Sequence, residues 1–88
     1  MMVTQTFIIN NKNGLHARPA GELAKIASSC RSDIILKIGE KKINPKSILN
    51  IMAAAIRFGT EIELECTGET ETEDLKRLGE AIEQGLGE

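Results

Sequence analysis

The stretch that most constrains this chain is Thr60 to Thr67, where Ile62, Leu64 and Cys66 alternate with Glu61, Glu63 and Glu65. A period of two sends the apolar side chains to one face of a strand and the glutamates to the other. A sheet built around such a strand has one covered face and one wet face, so every helix in the chain must pack on the same side.

The rest of the chain reads in those terms. From Val3 to Asn10, Val3, Phe7 and Ile9 share a face opposite Thr4 and Thr6, which predicts a first strand. The turn-forming run Asn10-Asn11-Lys12-Asn13-Gly14 follows as a loop. Pro19 is tolerated in a first helical turn, and Ala20, Leu23, Ala24, Ala27 and Cys30, with Ile26 alongside, recur at helical spacing. A helix therefore starts beside His16 and ends near Ser29. Ile34, Leu36 and Ile38 mark a strand over residues 33 to 39, and Gly39-Glu40 turns it into a short strand from Lys41 to Asn44. Ser47 is a good N-cap for a short helix carrying Ile48, Leu49, Ile51, Met52 and Ala55, with Gly59 closing the segment. Thr70 and Glu73 match a capping box, and Leu75, Leu78, Ile82 and Leu86 define a last amphipathic helix. The expected fold is α+β, a two-layer open-faced sandwich of order βαββαβα, with a four-stranded antiparallel sheet and three helices on one face.

Several function classes are excluded. With 88 residues, the chain is read as one domain over residues 1–88, too small to enclose a substrate pocket. Phe7 and Phe58 are its only aromatic rings, so the core must be aliphatic. A net charge of -2 argues against nucleic-acid binding, which needs a basic surface. No apolar run approaches the ~20 residues of a membrane span, and the N-terminus lacks the marks of a signal peptide, so the expectation is a cytoplasmic protein without membrane insertion. Cys30 and Cys66 show no metal-ligand spacing and read as reduced, buried thiols. No metal or cofactor is called for.

His16 is the only histidine. Just ahead of a helix it would face free backbone N–H groups and the positive end of the helix dipole, a place that attracts anions and disfavours imidazolium. A ring nitrogen with a free lone pair can attack phosphorus. A phosphoryl group there would meet the N–H groups of Ala17 and Arg18, Pro19 having none, and the Arg18 guanidinium could add a charge-assisted contact. Spacing alone favours a histidine that merely caps the helix, with Arg18 a solvated charge.

The segment Gly14-Leu15-His16-Ala17-Arg18-Pro19-Ala20 resembles the phosphorylation motif of the HPr family, the histidine-containing phosphocarriers of the bacterial phosphotransferase system. Asn44-Pro45-Lys46-Ser47-Ile48-Leu49, with Met52 beyond, resembles that family's regulatory-serine segment, and the likeness spans essentially the whole chain. The resemblance implies that enzyme I, charged by phosphoenolpyruvate, phosphorylates His16 at Nδ1 and that enzyme IIA proteins take the group. Arg18 would stabilise it, and Asn13 and Gly14 would shape the loop. It further implies regulatory phosphorylation of Ser47 by an HPr kinase/phosphorylase, although an N-cap alone also explains a serine there. Such a protein is a phosphoryl-transfer intermediate in sugar transport rather than a self-contained enzyme, and a monomer is the natural expectation. Ala20, Ile48, Leu49 and Met52, with Ala17 and Arg18, would make a docking patch for enzyme I and enzyme IIA.

Three features depart from the family pattern: Glu22 near the first helical turn, Pro45 ahead of the regulatory serine, and the absence of a glycine within Ala53 to Phe58. They bear on partner choice and keep a second reading open. This is a regulatory HPr-like module, in a nitrogen- or carbon-regulatory branch, that works by binding proteins through Ser47 and its helix.

Overall fold

A computed structural model describes residues 1–88. Its elements in chain order are β1 (Met2–Ile8), α1 (Ala17–Ser29), β2 (Asp33–Ile38), β3 (Lys41–Ile43), α2 (Ile48–Ala53), β4 (Glu61–Thr67) and α3 (Glu71–Glu83). The alternating strand, β4, lies inside a sheet of order β1-β4-β2-β3, antiparallel to β1 on one side and to β2 on the other. Ile62 and Leu64 of β4 stand opposite Phe7 and Gln5 of β1, and Leu64 also pairs with Leu36 of β2. The architecture is the expected α+β open-faced sandwich.

Ile62, Leu64 and Cys66 join Leu23, Ala27, Leu78 and Ile82 of the helices in a hydrophobic cluster of 19 buried residues. The opposite sheet face is open, but less uniformly wet than the glutamate pattern implies. Glu65 is only 8% exposed, because Lys37, held between Glu63 and Glu65, folds over it. Ile35 stands beside that group on the same face, partly exposed. Cross-strand pairing of opposite charges therefore takes the place of solvent at the centre of the open face.

The last helix starts after Thr70 as expected, but its cap bonding and the end of the second helix differ from expectation. Thr70 is the residue before α3, but its side chain makes no cap bond and no capping box with Glu73 forms. Its hydroxyl donates instead to Asp74 (2.8 Å), while Glu71 accepts from the Gly68 N–H (3.0 Å). Asp74 is buried and also accepts from the Ser32 N–H (3.0 Å) and the Ser32 hydroxyl (2.6 Å), which ties the start of β2 to the start of α3. Burial alone would raise the Asp74 carboxyl; the Ser32 and Thr70 bonds outweigh it and hold the group below its ordinary range. The second helix stops at Ala53, well before Gly59. The N–H groups of Ala54 and Ala55 bond back to Ile51 and Met52, Ala55 takes a left-handed φ of 52°, and Ile56 leaves to enter the core.

Candidate functional site

α1 opens at His16, whose extended backbone (φ -74°, ψ -170°) and lack of a side-chain cap bond settle one question left by the sequence. The imidazole does not cap its helix. Its side chain is 42% exposed, and Nε2 lies 2.7 Å from Oε2 of Glu88, while Nδ1 has no protein partner.

Glu88 comes from the far end of the chain. Helix α3 ends with the Gly85 N–H bonded to the Ile82 carbonyl (3.1 Å) and the Leu86 N–H bonded to the Ala81 carbonyl (2.9 Å). This is the paired closure of a Schellman end, in which the residue after the turn packs back onto the helix. Leu86 is accordingly buried, and the tail folds toward the loop after β1. There Asn11, itself buried, donates its amide to the Gly85 carbonyl (2.9 Å) and to Oε1 of Glu88 (2.9 Å). The Asn11 bond is the largest influence on the Glu88 carboxyl, holding it below the usual glutamate range. Partial desolvation opposes that, and His16 and the charge of Arg18 add to it. Glu88 is thus an anion near neutral pH, and an anion can only accept, so the nitrogen facing it carries the hydrogen.

On the other side of the ring, the loop before α1 is pressed against the segment after α2. The Leu15 N–H donates to the Ile56 carbonyl (2.9 Å). Gly14, at φ +68°, lies so close that a Cβ would sit 2.3 Å from that carbonyl oxygen and 2.9 Å from the Arg57 Cα. Asn13, His16, Met52, Ala55 and Arg57 help to line a shallow depression of about 230 Å³. At the helix start the N–H groups of Ala17 and Arg18 precede the first α1 bond, from the Ala20 N–H to the His16 carbonyl (2.9 Å), and so have no carbonyl one turn back to bond. Ala17 and Arg18 are exposed.

Ser47 caps α2, its Oγ accepting from the Asn50 N–H and the Asn50 side-chain amide, both at 3.2 Å. Only Ile51 of α2 is buried, so Ile48, Leu49 and Met52 are exposed, with Leu49 at 75%. Ala20, expected in the same patch, is fully buried among Leu23, Ala24 and Ala27 and cannot touch a partner. Its place on the apolar stripe of α1 already carried that information. Asn11, Arg57, Phe58 and Glu88 escaped the sequence reading. Phe58 is exposed, and the other three reach the site through contacts distant in sequence.

No His, Cys, Asp and Glu side chains cluster as metal ligands. Cys30 and Cys66 are free and buried, and desolvation pushes Cys66 up to about 11, so neither is a ready nucleophile. The site has no enclosed cavity. An exposed nitrogen, steadied from behind and bordered by anion donors, suits a small protein that exchanges an anionic group with other proteins.

The family model described as "PTS HPr component phosphorylation site" matches residues 3–84. The chain is 47% identical over 79 residues to the phosphocarrier protein HPr of Mycoplasma capricolum, covering 90% of this chain and 84% of that one. It is 39% identical over 83 residues to the HPr-like protein Crh of Bacillus subtilis, covering 94% and 98%. Among solved structures, HPr of Thermoanaerobacter tengcongensis superposes with a TM-score of 0.92 at 40% identity, covering 98% of this chain and 97% of that one. The chain belongs to the HPr family of phosphocarrier proteins.

Proposed function

We propose that this chain, acting as a single HPr-like domain in the cytoplasm, carries a phosphoryl group on His16 Nδ1. Enzyme I, charged by phosphoenolpyruvate, would be the donor and enzyme IIA proteins of the sugar phosphotransferase system the acceptors. The observation behind the reading is the asymmetry of the ring: Glu88 engages Nε2 at 2.7 Å and nothing engages Nδ1. With the hydrogen on Nε2, the Nδ1 lone pair is free to attack phosphorus. The new N–P bond forms as the bond from phosphorus to the donor breaks, the donor keeping the electron pair of that bond. His16 keeps its Nε2–H, so the ring becomes cationic while it holds the phosphoryl group, and the Glu88 carboxylate faces that charge. The Ala17 and Arg18 N–H groups and the Arg18 guanidinium are the donors for the phosphoryl oxygens. Transfer to the acceptor runs the same steps in reverse.

Ile48, Leu49 and Met52, joined by Phe58, supply the apolar surface on which partners dock beside His16. A phosphate placed on Ser47 by an HPr kinase/phosphorylase would stand at the start of α2 within that surface, and its charge would hinder docking. The test is incubation with enzyme I and phosphoenolpyruvate, which should give a base-stable, acid-labile adduct. Labelling that survives His16→Ala would overturn the assignment. Kinase and ATP should label Ser47 and slow His16 phosphorylation, and a Ser47→Ala variant that is still labelled would remove that role.

The likeness to the HPr-like protein Crh favours a second reading, a regulatory module that works through Ser47 and α2. It requires binding to a regulator that depends on Ser47 and is indifferent to His16→Ala.

A further inference from the structure

Arg57 borders the His16 depression from a different part of the chain than Arg18 does. It lies between α2 and β4, whereas Arg18 belongs to α1. Its backbone is fixed on both sides. The Arg57 N–H donates to Thr60 Oγ1 (3.2 Å), the Arg57 carbonyl accepts from the Thr60 N–H (3.1 Å), and Gly14 packs directly on its Cα. Its guanidinium makes no ion pair and no hydrogen bond, in contrast to Arg77, which bonds Ser29, and Lys46, which bonds the Ser32 carbonyl. An arginine held by its main chain, with an unengaged planar fork and lining the same depression as an exposed histidine, has the chemistry to take two oxygens of a tetrahedral anion.

We infer that Arg57 is a second phosphoryl-binding residue of this site, its guanidinium engaging the oxygens of a phosphoryl group on His16 together with Arg18. This rests on the reading of His16 as the acceptor. In the free protein Glu88 places one negative charge at the ring, and a phosphoryl group brings about two more, so even with the ring cationic and Arg18 engaged the site keeps about one net negative charge. Arg57 offsets part of that charge from the side that α1 does not cover. It makes no bond to the ring and takes no proton; its contribution is to the charge on the transferred oxygens.

The deciding measurement needs no partner protein. Wild type, Arg57→Ala, Arg57→Lys and, as a control for loss of a distant cation, Lys76→Ala are phosphorylated with potassium phosphoramidate. The phosphoryl group is then followed by 31P NMR as pH is varied. Removing a cation that contacts the phosphoryl oxygens should move their protonation midpoint upward by about half a pH unit, the scale of a solvent-exposed ion pair. Lysine should restore part of the shift, and Lys76→Ala should match wild type. Transfer from phosphorylated enzyme I in a single turnover should fall about five-fold to ten-fold in Arg57→Ala. If wild type accepts no phosphoryl group on His16, the acceptor reading itself fails. If wild type is phosphorylated and Arg57→Ala titrates identically, Arg57 is not a ligand, even if enzyme I then shows a raised KM. A raised KM with an unmoved midpoint would assign Arg57 to docking and overturn the proposal.

Discussion

Replacing Gly14 by alanine separates two reasons for a glycine, because Gly39 supplies the matching control. Both residues have similar positive φ, +68° at Gly14 and +58° at Gly39. Around Gly39 an added Cβ meets nothing within 4 Å, whereas at Gly14 it would lie 2.3 Å from the Ile56 carbonyl oxygen. Gly39→Ala therefore feels only backbone strain, about 1–2 kcal/mol, offset by about 0.4–1 kcal/mol from a less flexible unfolded chain. A net loss of about 1 kcal/mol is expected. Gly14→Ala carries the same term and must also push backbone away from backbone, about 1–3 kcal/mol. It further loses much of the Leu15–Ile56 hydrogen bond, about 1 kcal/mol more. Its total is about 3–5 kcal/mol, a large part of the roughly 4–13 kcal/mol expected for a chain of this length.

Urea denaturation measures the difference. With a slope of about 1 kcal/mol/M, the midpoint should fall by about 1 M in Gly39→Ala and by about 3 M or more in Gly14→Ala. Only Gly14→Ala should slow His16 phosphorylation under conditions where both variants remain folded, because only its displacement moves the ring and Arg57 apart. Equal losses in the two variants would refute the close approach as the reason for Gly14. A destabilised Gly14→Ala with unchanged transfer would refute the link between that contact and the site.

Asp74→Ala strips the buried Ser32 N–H and hydroxyl of their acceptor and should cost about 3–4 kcal/mol by the same denaturation assay. Because the folded carboxyl of Asp74 is depressed, its contribution is present above the unfolded pKa of about 3.9 and is lost as pH falls through the folded value. Asp74→Asn should accordingly flatten the acid limb of the stability curve. Ala55→Gly relieves the left-handed φ of 52°, and after the entropic penalty of glycine should raise Tm by about 2–4 °C, read by circular dichroism. Glu88→Gln turns a carboxylate that only accepts into an amide that can also donate. The His16 15N shifts should then move from predominantly Nε2–H toward a tautomer mixture, with phosphorylation retained at a lower rate.

What could be read in advance was local in the chain. The β4 alternation implied a one-sided sheet, and Pro19 with the stripe Ala20-Leu23-Ala24-Ala27 placed a helix start at His16. The readings that missed concern groups whose partners lie far along the chain. Thr70 looked like half of a capping box because Glu73 stands three residues on. The bond that its hydroxyl makes goes to Asp74, which is oriented by Ser32, 42 positions away. Glu88 meets His16 across 72 positions, and only because α3 closes on Gly85 and folds Leu86 back into the core. Ala20 differs for another reason: it adjoins the His16 motif in sequence, but helical phase turns it inward.

These long-range contacts decide how the site works as a relay. Glu88 and Asn11 hold the ring from the Nε2 side, and the donors proposed for the phosphoryl oxygens stand at the α1 start and on the segment after α2, so one edge of the imidazole is left to the outside. A phosphoryl group that arrives and departs at one nitrogen along one open edge must be given and taken from the same direction, since in-line displacement places donor and acceptor atoms along the axis through the attacked phosphorus. On the proposed function, donor and acceptor proteins then need the same surface, and Ile48, Leu49, Met52 and Phe58 are exposed apolar groups that it would offer to both. A surface shared in this way cannot hold either partner tightly, because residence on one excludes the other. A small rigid patch of single apolar residues, rather than a deep groove, is the form that such alternation favours.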